Sequence, residues 1–228
     1  MNSEIISLNK KIINCNKCPR LIKFRKKILK NKRKKYINDK YWGKPITGFG
    51  DMRGEILFVG LAPAAHGATR TGRVFTGDKS SEFLYRCLYK AKISNQNTSE
   101  HINDGLKLNN AFITAALKCV PPKDKPEKKE LINCFQYFEK EISIMTNLKV
   151  IIALGKIAFD TCIQFYRKNH NLNYKFIFKH GKRYELSNKL KLIGCYHPSP
   201  RNVNTGRINE NKMTNLFKKV KDDLNFMN

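Results

Sequence analysis

Residues 56–78 read ILFVGLAPAAHGATRTGRVFTGD. Five residues, Ile56 to Gly60, run without a polar interruption. A strand wetted on one face would alternate, so an unbroken apolar run fits a short strand covered on both faces. A loop of glycines and small residues follows, and it ends at Asp78 ahead of a helical pattern over Lys79 to Ala91. Asp is a natural N-cap at that point. Strand, glycine-rich loop and helix together make the opening unit of an α/β fold.

The same alternation continues outward. Ala111 to Leu117, Val150 to Leu154 and Leu190 to Cys195 read as further buried strands, and Lys175 to Phe178 as an edge strand. Helices are expected over Glu127 to Met145, over Lys156 to Phe165 after Gly155, and from Arg207 to about Phe226. Asn95 to Asn109 is polar and irregular. The pattern predicts an α/β sandwich on a short, mostly parallel sheet. Right-handed crossovers gather the loops that leave the strand C-termini at one edge, where such sheets bind ligands. Residues 61–78, 119–126 and 196–207 should meet there.

The chain has 228 residues with 45 Lys and Arg against 18 Asp and Glu, a formal net charge of +27. With 41% hydrophobic residues it has material for a real core, so the charge bears on partners rather than on foldedness. Nucleic acid is the simplest polyanion that fits. The longest apolar runs are far too short to span a bilayer, and Met1 to Lys11 lacks a signal core. A cytoplasmic protein without membrane association, acting as a monomer, is expected. Residues 1–55 read as a basic accessory segment packed on a main unit over 56–228. Within the segment, residues 20–35 hold ten Lys or Arg and no acid, interleaved with Leu21, Phe24 and Ile28, as in a basic amphipathic helix.

Seven cysteines in a cytosolic chain point to metal or to buried thiols rather than to disulfides. Cys15 and Cys18 form a C-x2-C pair, while Cys119 and Cys134 have fourteen residues between them. Four thiolates would suit zinc or an iron–sulfur cluster, and the spacing does not choose. Cys87, Cys162 and Cys195 sit in apolar patterns as core residues.

Two loops carry candidate chemistry. In the first, small residues let backbone N–H groups approach a ligand, Arg70 and Arg73 could pair phosphate, and the Lys-Ser/Thr ending of a nucleotide P-loop is missing. The second, His197 to Arg207 (HPSPRNVNTGR), is stiffened by two prolines. It offers Ser199, Arg201, Asn202 and Arg207 as phosphate partners.

Together the motifs GLAPAAHGATRTGRVFTGD (60–78) and HPSPRNVNTGR (197–207) resemble the signature pair of the type-5 uracil-DNA glycosylases. CNKCPRL (15–21) and TAALKCVPP (114–122) belong to the same pattern. The resemblance implies a three-layer α/β/α sandwich. It also implies a [4Fe–4S] cluster on Cys15, Cys18, Cys119 and Cys134, with zinc the lesser alternative, and a DNA-repair activity that flips a deaminated base out of DNA and hydrolyses its N-glycosidic bond. Carried over residue by residue, His197 would donate a hydrogen bond to the base and Phe75 would stack on it. Gly60, Ala62 and Ala64 would line the pocket, and Asp78 would be the catalytic carboxylate. Ala115 stands where related families place a base-reading Asn, so the pocket should accept other lesions, hypoxanthine among them. Asp124 stands where the family commonly has Asn, and Arg201 where a Leu wedge is frequent. No motif places a Schiff-base lysine, so a monofunctional enzyme without strand cleavage is expected. A zinc-held nucleic-acid-binding module without catalysis would explain charge and cysteines but leaves both loops without a role.

Overall fold

The computed structural model describes residues 3–169, 174–186 and 189–225. Eight helices and six strands are found among them: α1 (Ser3–Ile13), α2 (Pro19–Lys30), β1 (Phe49–Gly50), β2 (Ile56–Gly60), α3 (Ala68–Thr71), α4 (Lys79–Lys90), β3 (Ala111–Ala115), α5 (Lys128–Ile144), β4 (Val150–Leu154), α6 (Lys156–Asn169), β5 (Arg183–Glu185), β6 (Lys191–Cys195), α7 (Pro200–Asn204) and α8 (Glu210–Asn225).

The strands form one sheet in the order β1-β3-β2-β4-β6-β5. β3, β2, β4 and β6 run parallel, and the short edge strands β1 and β5 are antiparallel. Every residue of β2, β3 and β4 is buried, as the apolar runs of β2 and β4 require; in β3 the one polar side chain, Thr114, is hydrogen-bonded to Glu141 and Lys118. Alternate residues supply the two cores. Ile56, Phe58, Ile113, Ile152 and Ile193 pack against α4 and α8, whereas Leu57, Val59, Phe112, Ile151 and Leu192 pack against α5 and α6. The three-layer sandwich follows directly. Among the described residues no helix is long and apolar enough to cross a membrane.

One local reading is corrected. Lys175 to Phe178 is not a strand, because the Tyr184 hydroxyl takes both backbone groups of Ile177, accepting from its N–H at 2.7 Å and donating to its C=O at 2.7 Å. The edge is formed instead by β5, folded back beside β6. At the other edge β1 pairs with β3 through Phe49↔Ile113. The expected end of the last helix, Phe226, lies outside the described residues.

The N-terminal residues pack on this frame. α1 buries Ile5, Leu8 and Ile12, one face at helical spacing, against Tyr137 and Ile144 of α5. α2 starts at Pro19, whose fixed φ suits a first helical position, and buries Leu21 and Ile28. Arg20 forks onto Glu130 through Nε (2.8 Å) and Nη2 (2.7 Å). Glu130 also closes the capping box that starts α5.

Candidate active site

β2 lies between β3, which follows it in the chain, and β4, which follows β3, so the sheet order reverses at the C-terminal end of β2. Ligand crevices of open α/β sheets form at such a switch point. The register pairs Gly60 with Ala115 and Leu154 with Cys195, which sets the loops after β2, β3, β4 and β6 along one edge.

Gly60 is the floor. A Cβ there would lie 2.6 Å from Cε2 of Phe75, so the aromatic ring rests against bare backbone. Phe75 itself has φ 47°, a left-handed backbone that bulky residues rarely adopt. Its ring faces the His197 ring at 6.2 Å between centroids, inclined by 36°. Ala115 is buried in the same core cluster against which Phe75 packs. His197 sits two residues past β6, with its backbone C=O accepting from Asn202 Nδ2 at 2.9 Å. Burial pushes its imidazole down to about 4, so the ring is neutral at pH 7 and able to donate one N–H.

Asp78 caps α4. Its Oδ1 accepts from Ser81 N at 3.0 Å, and Ser81 Oγ donates back to its C=O at 2.6 Å. A Cβ on Gly67 would fall 2.0 Å from Oδ2, so this second oxygen lies over the Gly67 backbone, inside the loop that leaves β2. Burial raises the carboxyl above the usual Asp range, and the helix-end N–H groups of Ser81 and Ser80 oppose that shift.

The other sequence-chosen residues divide. Ala62 packs toward the cluster of Leu117, Cys119 and Cys134, and the Ala64 C=O holds Thr69 N at 3.1 Å. Ser199 is the N-cap of α7, while Arg201 and Arg207 are exposed, the latter over the Tyr196 ring at 5.3 Å. Asp124 is exposed, on a left-handed turn after Pro122, and is not drawn in beside Phe75 and His197.

Arg70 and Arg73 correct the expectation of phosphate contacts. Arg70 donates to Asp39 (2.8 Å), to His66 O (2.9 Å) and to Gly77 O (3.1 Å), and it stacks on Tyr36. Arg73 is 4% exposed and grips Asp104 bidentately at 2.8 and 2.6 Å. Both guanidiniums are consumed inside the fold. Sequence reading missed their partners, because Asp39 and Asp104 each lie 31 residues away from them.

Cys15, Cys18, Cys119 and Cys134 line one pocket between α2, α5 and the segment after β3. N–H groups point at three of the sulfurs. Arg25 Nη1 reaches Cys119 Sγ (3.1 Å), Lys118 N reaches Cys134 Sγ (3.2 Å) and Asn133 Nδ2 reaches Cys18 Sγ (3.5 Å). Among the described residues, no three His, Cys, Asp or Glu side chains close on a point as a single ion would need. Beside this pocket lies a buried ion pair. Lys118, 1% exposed, holds Glu141 at 2.7 Å and donates to Thr114 Oγ1 at 2.6 Å.

Fold and site thus define an α/β enzyme that brings a bare glycine, an aromatic ring and an imidazole together at the switch point of its sheet. A family model described as "Uracil DNA glycosylase superfamily" matches residues 47–225, and the chain belongs to that superfamily. It is similar to the type-5 uracil-DNA glycosylase of Mycobacterium bovis, with 37% identity over 219 residues, covering 96% of this chain and 81% of that protein. Similarity to the type-5 enzyme of Thermus thermophilus is 37% over 207 residues, 91% of this chain and 92% of that one. A type-4 uracil-DNA glycosylase from Sulfurisphaera tokodaii is 30% identical over 184 residues, covering 78% and 73%.

Proposed function

We propose that the chain is a DNA-repair glycosylase that takes uracil, turned out of DNA, onto the Phe75 ring within reach of His197 and hydrolyses its N-glycosidic bond, leaving an abasic site. The observation that supports this most is the Phe75 ring, laid on bare Gly60 at the sheet's switch point with the His197 ring 6.2 Å away. A target base is shielded inside the duplex, so it must leave the stack to be reached. Phe75 supplies the stacking face that replaces its lost neighbours.

Cleavage puts positive charge on the sugar and negative charge on the departing base. A neutral His197 donates its N–H to the base oxygen where the charge develops, a contact worth most once the bound base excludes water. The backbone of Gly60 to Ala64 lines the opposite side. Asp78 Oδ2, which lies over the Gly67 backbone, positions the attacking water. Ala115 offers no amide to read the base edge, so hypoxanthine should also be accepted. Lys118 has its ammonium tied to Glu141 and Thr114, which supports a monofunctional enzyme.

The four cysteines suit a [4Fe–4S] cluster better than zinc. Tetrahedral zinc at about 2.3 Å would draw sulfurs to about 3.8 Å from one another. Thiols that line one pocket without closing on a point suit a larger body, and the N–H groups aimed at three sulfurs would offset thiolate charge. Bound there, the cluster would supply a rigid cross-link between residues 15–18 and the segment after β3. It would thereby fix α2 beside the active edge. Lys23, Lys26, Lys27 and Lys30 share the face of α2 opposite Leu21 and Ile28 and line a shallow groove. They would hold flanking phosphates, together with Arg201, Arg207, Ser199 and Asn202.

The test is incubation of purified protein with oligonucleotides bearing uracil, hypoxanthine or no lesion, with and without alkali, alongside iron, sulfide and zinc assays. Uracil strands should break only after alkali. Intact uracil strands would overturn the activity, breakage without alkali the monofunctional mechanism, and zinc in place of iron the cluster.

A further inference from the structure

Phe75 poses a physical problem that the proposed stacking role does not solve. A left-handed backbone at a bulky residue is disfavoured and persists only where its surroundings over-determine it. The stacking platform depends on that conformation, because it is what turns the ring onto Gly60.

The surroundings come from the polar stretch between α4 and β3. Ser99 is 2% exposed, and its Oγ donates to the C=O of Phe75 at 3.1 Å. It is free to give its single hydrogen there because Arg73 Nη2 donates into the same oxygen at 3.0 Å. Thr76, fully buried, lies 2.8 Å from Ser99 Oγ and accepts from Arg73 Nε at 2.9 Å. The backbone adds one more link, Gly77 N–H to Ser99 C=O at 2.9 Å. Residues 75, 76 and 77 are thus each fastened to Ser99.

Arg73 is fixed in turn. Its fork lies on both oxygens of Asp104, which also accept backbone N–H groups of Glu100 (2.8 Å) and Leu106 (3.0 Å). The linkage runs from an ordered surface loop, through a buried ion pair, to one hydroxyl and one carbonyl.

We infer that Ser99 is a positioning residue for base recognition. Held by the buried Arg73–Asp104 pair, it locks Phe75 in its left-handed conformation and so preforms the stacking platform before DNA arrives. This inference rests on the stacking role proposed for Phe75. Aromatic stacking holds a base that has left its neighbours, so a loosened platform should slow capture of the flipped base about tenfold. The grip on flanking phosphates should be untouched.

The experiment is a double-mutant cycle of Ser99→Ala and Phe75→Ala, read by kcat/KM on uracil duplex and by affinity for an abasic-analogue duplex. A crystal structure of Ser99→Ala accompanies it. Expected are an about tenfold fall in kcat/KM for Ser99→Ala, little change in abasic-duplex affinity, and no further loss in the Phe75→Ala background. Phe75 should leave the left-handed region in the variant structure. Ser99→Thr, which keeps the hydroxyl, should recover activity. Equal losses in both backgrounds, or a variant structure with Phe75 still on Gly60, would overturn the inference. Should Phe75→Ala excise uracil at the normal rate, the stacking role fails, and the variant structure alone then decides whether Ser99 sets the backbone. If Ser99→Ala does not fold, Ser99→Cys fills the volume with a weak donor and serves the same cycle.

Discussion

Two arginines stand in each of the loops that leave β2 and β6, at the same edge of the sheet. In the first, Arg70 and Arg73 turn inward and end on Asp39 and Asp104. In the second, Arg201 and Arg207 stay exposed. The two pairs have similar sequence surroundings of glycine, threonine and small polar residues. What separates them is whether the folded chain brings a carboxylate within reach. A cation in a loop of a DNA-binding protein is therefore a scaffold bolt or a phosphate partner according to what it meets across the fold, and identity alone does not tell.

The sharpest break of that contrast is Asp104→Ala. It leaves the buried Arg73 guanidinium uncompensated, and removing one partner of such a pair costs about 3–5 kcal/mol. Denaturant unfolding should show a loss of that size, and a change under about 1 kcal/mol would mean that Arg73 finds water or another partner. Gly60→Ala comes next. Its Cβ would sit 2.6 Å from the Phe75 ring and must displace it, so uracil excision should fall about tenfold with little change in the melting temperature. Unaltered excision would show that the ring can shift freely.

Arg201→Ala with Arg207→Ala should behave in the opposite way from Asp104→Ala. Stability should stay within about 0.5 kcal/mol, as for exposed positions. The salt dependence of duplex binding should flatten by about 0.9 for each phosphate no longer neutralised. A drop in stability without a change in slope would place these arginines with Arg70 and Arg73. The smallest effect is a pH effect. His197 is neutral in the folded protein down to about 4 but titrates near 6.5 when unfolded. Between those values the unfolded chain binds the extra proton, so stability should fall as pH drops from 6.5 toward 4, and less so in His197→Gln. Identical acid profiles for the two proteins would mean that the imidazole is not buried.

Much of this was legible in the residues. The runs at 56–60 and 150–154, and 111–117 with Thr114 its one polar residue, marked the central strands, because a strand covered on both faces has no need to alternate. The glycine-rich and proline-rich loops marked the edge where the site forms. Illegible were the features set by distant pairs: the Tyr184 hydroxyl that takes Ile177 out of strand pairing, the Asp39 and Asp104 acids that turn two arginines inward, and Ser99. The last sits in a stretch, residues 95–109, that reads only as irregular polar chain. Its work depends on three-dimensional reach to Phe75, and no local period encodes that.

The central claim is that a neutral imidazole at residue 197 steadies the charge on the departing base. Single-turnover excision of uracil from duplex DNA by the native chain and by His197→Ala measures it directly. Loss of a preorganised donor to developing charge should slow the chemical step about 10²–10³-fold while uracil-duplex affinity stays close to that of the native chain. A variant that cleaves at the native rate would contradict the account.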